Sequence, residues 1–205
     1  MNITKEQIID WLEGAAQVFE SQQDFLTDLD REIGDADHGL NMHRGFKKVC
    51  EKLPSVADKD IGTILKTTGM TLLSSIGGAS GPLYGTFFIR AASKATSKEA
   101  LTLEELTQIL KTGVAGIVQR GKAKVGQKTM IDTWDAIIKN LEIEQDKPLK
   151  EALNIALAAG EKGMKETISM QAQKGRASYL GERSIGHQDP GATSSYFLFK
   201  ALCEA

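Results

Sequence analysis

Asp30, Asp35 and Asp37 place three carboxylates within eight residues, and His38 and Gly39 follow at once in the run Glu32-Ile33-Gly34-Asp35-Ala36-Asp37-His38-Gly39-Leu40-Asn41-Met42. Asp and Gly interrupt the helical pattern, so these acids belong on a loop between helices. Residues i and i+2 of an extended loop project to the same side, which lets Asp35 and Asp37 converge. At about 4 Å and an effective dielectric of roughly 20, each like-charge pair costs roughly 4 kcal/mol unless a cation sits between them. Hard oxygen donors in small number favour Mg²⁺ or Mn²⁺. The calcium loop of an EF-hand also starts Asp-x-Asp, but counted from Asp35 its fifth position is Gly39 and its twelfth is Phe46, where acids or amides are needed. Any one of these Asp residues could be a plain helix cap. All three, with the Gly-Leu-Asn-Met that follows, point to a metal site.

The rest of the chain must hold that loop. Thr4-Lys5-Glu6-Gln7 is a capping box, and Ile8, Leu12, Ala15, Ala16 and Phe19 then share one face. Helices are expected over 5–31, 40–50, 61–75, 82–93, 102–120, 128–142, 148–172 and 191–203, with no convincing strand. Thr102-Leu103-Glu104-Glu105 is a second capping box, Gly121 suits a C′ position, and Pro82 suits the first residue of its helix. Gly121 to Thr129 nearly spells a phosphate loop, but Gln127 is inserted before Lys128 and no strand leads in, so that reading fails. Met130 offers an apolar surface to a flat ring, although residue type alone favours ordinary core. The segment 175–191 has neither helical nor strand period and carries Arg176, Arg183, His187 and Asp189. Long structureless loops in compact domains are often functional, and arginine forks suit phosphate.

If neighbouring helices run antiparallel, alternate connections fall at the same end of a bundle. The unusual loops, near 30–39, 77–82, 121–128 and 173–191, are every second connection; the others are polar and featureless. One end therefore collects acids, glycine turns and arginines. Divalent metal between the acids would turn that end into a seat for a polyphosphate, hence a nucleotide. No Ser-His-Asp or Cys-His signature accompanies it, so no catalytic nucleophile is assigned.

Composition narrows the options. A chain of 205 residues with 41% apolar and 25% charged residues suits one all-α domain spanning 1–205. A net charge of −2 supplies no basic field for nucleic acid. Cys50 and Cys203 lack partners at metal-ligand spacing and fit buried thiols of a reducing compartment. No apolar run is long enough for a membrane span, and the opening residues carry no leader pattern, so a cytoplasmic location is expected.

Together these motifs resemble the nucleotide-binding L subunit of dihydroxyacetone kinase. The resemblance rests on Gly34 to Gly39, Gly77 to Gly85, Arg120 to Ala123, Lys128-Thr129-Met130 and Gly175 to Ser184, and it runs over nearly the whole chain. Two positions depart: Ala36 stands where Gly is usual, and Gln127 where an acid is common, and Gln127 is given no role. The resemblance implies a barrel of eight antiparallel amphipathic helices with ADP or ATP at one end. It assigns two Mg²⁺ ions to Asp30, Asp35 and Asp37. It assigns nucleotide contacts to His38, Gly39, Leu40, Asn41, Ala79, Ser80, Gly121, Met130, Arg176, Asp189, Pro190 and Gly191. In one branch of the family the nucleotide stays bound and is recharged by a phosphohistidine on an M subunit of the phosphotransferase system. The phosphoryl group then passes to dihydroxyacetone held on a separate K subunit. A stand-alone chain of this length resembles that branch. The competing readings are an L subunit that exchanges ATP freely, and a nucleotide sensor that makes no product.

Overall fold

The computed structural model describes residues 2–205. Among them the chain forms nine α-helices: α1 (Lys5–Ser21), α2 (Gln23–Ile33), α3 (His38–Lys52), α4 (Ile61–Ser75), α5 (Ser80–Ala92), α6 (Leu103–Gly121), α7 (Met130–Ile143), α8 (Leu149–Glu166) and α9 (Pro190–Glu204). Capping boxes start α1 at Thr4 and α6 at Thr102, as the sequence predicts. A third, Thr129 with Asp132, starts α7. Asp60 caps α4 by accepting from the Thr63 N–H at 2.6 Å.

Several elements differ from expectation, beyond shifts of one or two residues such as α3 starting at His38 rather than 40. The helix expected over 5–31 breaks at Gln22, whose φ of −103° and ψ of 11° leave the helical region. The last long helix stops at Glu166 rather than near 172, because the Thr167 hydroxyl bonds to the Met164 carbonyl and a 3-10 turn follows. Ser80, not Pro82, opens α5. Lys122 rather than Gly121 takes the left-handed conformation after α6, at φ 50°. The segment after Gly175 is also less irregular than expected: residues Arg176–Ser184 form 3-10 turns broken at Gly181. A short antiparallel bridge, β1 (Ile3–Thr4) against β2 (Ala100–Leu101), supplies the strand pairing the sequence did not announce.

Taking α1 and α2 as two parts of one rod, eight rods pack in chain order, and α9 returns to pack on α1. That closes the barrel, and the sequence's fold class stands. Its interior is a run of aromatic rings. Trp11 meets Phe88 at 5.6 Å between centroids, Phe88 meets Phe46 and Phe87, and Phe87 stacks on Trp134 at 4.9 Å. Rings at such separations gain beyond their buried area. No helix among the described residues is long and apolar enough to cross a membrane. Phe88 touches three of these rings, so Phe88→Ala should lose about 3–5 kcal/mol in urea unfolding followed by circular dichroism; a loss below about 1 kcal/mol would mean that the column is not the core.

Candidate functional site: an acidic and apolar trough at one end of the barrel

The four unusual loops meet. Asp30, Asp35 and Asp37 each present an oxygen within 4.8 Å of the others. Asp30 is buried, and its Oδ2 accepts from the Asp37 N–H at 2.9 Å and the His38 N–H at 3.2 Å. That bond takes over the capping of α3. The carboxylate of Asp37, which stands at the N-cap, makes no capping bond and stays free for another partner. Asp35 is paired with the Arg176 guanidinium at 2.9 Å. Between them Ala36 sits at φ 60°, a conformation that suits Gly and strains a residue with a Cβ by roughly 1 kcal/mol. An all-oxygen set of three carboxylates at this separation fits a hard divalent cation such as Mg²⁺.

The acids line a compartment of about 160 Å³, which joins a larger one of about 400 Å³. His38, Ala79, Ser80, Lys174, Gly175 and Asp189 form the shared wall. Pro82, Leu83, Ile117, Ala123, Met130 and Ile131 make the larger compartment mostly apolar. Of the residues the sequence singles out, Ala79, Gly121, Arg176, Pro190 and Gly191 also border one or both compartments. Gly39, Leu40 and Asn41 border neither. A Cβ on Gly39 would run into the Gln23 carbonyl, so glycine there lets α2 lie against α3. Leu40 is half exposed, and the buried Asn41 accepts from Arg44 at 2.7 Å.

Burial lowers the pKa of His38, against the opposing pull of Asp30, Asp37 and Asp35. Its Nδ1 lies 3.1 Å from the Ser80 hydroxyl and its Nε2 2.8 Å from that of Ser194. Ser194 continues to the buried Tyr84 hydroxyl at 2.7 Å. A side-chain chain thus runs from the trough into the core.

Two features escaped the sequence reading. Lys128 is only 1% exposed and sits at φ 59°. Its ammonium donates to the carbonyls of Thr167 at 2.6 Å, Met170 at 3.2 Å and His187. All three protons are used, and both ends of the segment over the trough are tied to one side chain. Gln127, given no role from sequence, accepts from the Gln173 N–H at 3.2 Å through its carbonyl and fixes the same segment. Nothing local in the sequence marks these partners, which lie 39 to 59 residues from Lys128. Asp189 caps α9 by accepting from the Ala192 N–H at 2.7 Å, and burial raises its pKa to about 7.

The class is a closed helical barrel with an apolar pocket opening into a carboxylate cluster at one end. The comparisons agree. Residues 32–204 match the DAK2 domain family. The chain is 57% identical over 207 residues to the ADP-binding subunit DhaL of the PEP-dependent dihydroxyacetone kinase of Escherichia coli (strain K12), covering 100% of this chain and 99% of that one. It is 41% identical over 204 residues to the corresponding subunit of kinase 1 of Listeria innocua, covering 100% of this chain and 98% of that one. The dihydroxyacetone kinase of C. freundii, solved in complex with AMP-PNP and Mg²⁺, superposes with a TM-score of 0.73 at 26% identity; the match covers 95% of this chain and 33% of that one. This chain thus spans about a third of that longer protein. It belongs to the DAK2 domain family, within the ADP-binding subunits of dihydroxyacetone kinases.

Two outcomes follow from the clamp and the cap. Lys128→Met removes the donor of three carbonyls, each worth roughly 1–3 kcal/mol if left orphaned. Amide exchange and proteolytic nicking should therefore rise between residues 167 and 187 while α1 to α7 stay protected; unchanged exchange there would refute the clamp. The folded pKa of Asp189 lies above the ordinary carboxylate range, so its protonated form favours folding. Its contribution is full below that range and is lost as pH rises through about 7. Asn caps equally well, so metal-free Asp189→Asn should lose less stability than the parent protein across that window in thermal unfolding. Parallel pH profiles would count against the enclosed carboxyl.

Proposed function

We propose that the trough holds ADP or ATP with its base in the larger compartment and its phosphates toward the acids. In this reading the chain is the nucleotide-carrying phosphoryl-transfer subunit of a PEP-dependent dihydroxyacetone kinase. The observation that carries it is the join between the two compartments, one apolar and ring-sized, the other lined by converging carboxylates. The names and near-complete coverage of the relatives support the same reading.

Asp30, Asp35 and Asp37 would hold two Mg²⁺ ions, whose chemistry is to neutralise the charge on phosphate oxygens. Around that centre the chain's residues bind and orient. Met130 and Ile131 wall the base, Ser80 and His38 face the phosphates from the N-termini of α5 and α3, and Arg176 covers the acids from outside. Helix N-termini present unpaired N–H groups to an anion. Phosphoryl transfer asks mainly for such positioning and charge balance, so no nucleophile from this chain is required.

The phosphoryl donor would be a phosphohistidine on an M subunit of the phosphotransferase system, and the acceptor dihydroxyacetone held on a separate K subunit, all in the cytoplasm. ADP then cycles to ATP and back in place. The whole chain, 1–205, acts as one nucleotide-binding domain.

At about a hundredfold excess over Kd, linkage adds about 2.7 kcal/mol, a rise of roughly 5–10 °C in Tm for a chain of this size. ADP should give that rise only with Mg²⁺, and the double variant Asp35→Asn/Asp37→Asn should lose it while keeping its helical signal. No rise in the parent protein would remove the nucleotide site. An equal rise without Mg²⁺, or in the double variant, would remove the metal bridge.

A further inference from the structure

The seam between the two compartments is where a diphosphate would lie, and its wall holds a cation with no partner. Lys174 borders both compartments. The other cations around the trough are placed or committed differently. Arg176 is paired with Asp35, Lys128 spends its three protons on backbone carbonyls, and Arg120 borders the larger compartment alone. Among the described residues the Lys174 ammonium makes no hydrogen bond or ion pair, although a carboxylate, Asp189, shares its wall.

The backbone that carries Lys174 is fixed on both sides. Gln173 donates its N–H to the Gln127 carbonyl at 3.2 Å, and the two glutamine side chains meet at 3.3 Å. Ala172 donates to the Ser184 hydroxyl at 2.9 Å. Gly175 then turns the chain at φ 64°, a conformation that a residue with a Cβ adopts at a penalty. Anchors before the lysine and a sharp turn after it hold a half-buried side chain over the seam. A side chain that only solubilised the surface would need no such mounting.

We propose that Lys174 is the phosphate-binding cation of the seam, its ammonium contacting the diphosphate oxygens of the nucleotide between the base pocket and the acid cluster. The inference rests on the nucleotide reading above and adds a ligand contact to it. His38, Ser80 and Asp189, the other polar side chains common to both compartments, carry no fixed positive charge. The Mg²⁺ ions would neutralise the phosphates on the side of the acids, and Lys174 is the side chain that brings a fixed positive charge to the seam itself. A lysine suits this place as a compact point charge that follows a phosphate as it is loaded and unloaded.

The test is titration calorimetry of Mg–ADP into the full chain and into Lys174→Met and Lys174→Arg, at low and high salt. Lys174→Met should bind about tenfold more weakly, with a shallower salt dependence, since an ionic contact is what salt screens. Lys174→Arg should recover most of the affinity. Unchanged affinity in Lys174→Met overturns the proposal, and so does weakened affinity with the parent's salt dependence, which marks a merely structural role. Failure of the parent protein to bind Mg–ADP overturns both readings, whereas equal binding by parent and Lys174→Met overturns this one alone.

Discussion

Like charges held together govern this molecule. Three carboxylate oxygens lie within 4.8 Å of one another, and each pair repels in the absence of a counter-charge. The chain answers with three devices. Asp30 is turned inward, and its Oδ2 accepts from the N–H groups of Asp37 and His38. Arg176 reaches back to Asp35. The first turn of α3 points its positive end at the cluster. What remains uncompensated is Asp37, whose carboxylate neither caps its helix nor finds a cationic partner. A binding site for a cation is a place where the fold stops short of neutralising its own charge.

The segment after α8 is the second constraint, and it is held by a buried lysine. An ammonium at 1% exposure is costly unless every proton is used. Lys128 meets that condition with carbonyls at both feet of the segment, and its own φ of 59° is the strain accepted to aim it there. Burial lowers its pKa, while the charge of Asp189 opposes that shift. The segment is therefore fastened at its feet, whereas Arg176 and Tyr179 beyond them stay exposed. Such an arrangement fixes where the loop stands and leaves its outer face available.

How far the sequence could be read depended on the range of the interaction. Thr4 and Thr102 announce their helices through contacts three residues long, and the alternation of plain and chemical loops located the site end. The Thr129–Asp132 box gives a weaker signal, because Asp replaces the usual Glu or Gln at its third position and a near phosphate loop precedes it. Gln22 carries no breaker signal, since neither Gly nor Pro stands there and the break shows only in its backbone angles. Ala36, noted in sequence only as a departure from glycine, occupies a left-handed turn, so the family's preference has a steric cause. Lys128 and Lys174 were illegible because their significance lies in partners and compartments assembled by distant segments. Gly39 is a reverse case: its motif sits beside the site, yet its hydrogen side chain serves the packing of α2 on α3.

The alternation of helices has an electrostatic consequence that joins these parts. Because every second connection falls at one end, α3, α5, α7 and α9 all begin there, at His38, Ser80, Met130 and Pro190. Four helix starts then surround a single trough, each contributing a fraction of positive charge, while Asp30, Thr129 and Asp189 take up N–H groups at three of them. Acids suit cations and helix starts suit anions, so the trough suits a salt of the two rather than either alone. Burial runs along the same line: Met130 and Asp30 are buried, whereas Asp35 and Arg176 are exposed. A nucleotide seated in that direction keeps its base inside and its terminal phosphate outward. The acidic mouth of the trough, with Asp35 and Arg176 exposed at it, is the part that another molecule reaches without entering the barrel.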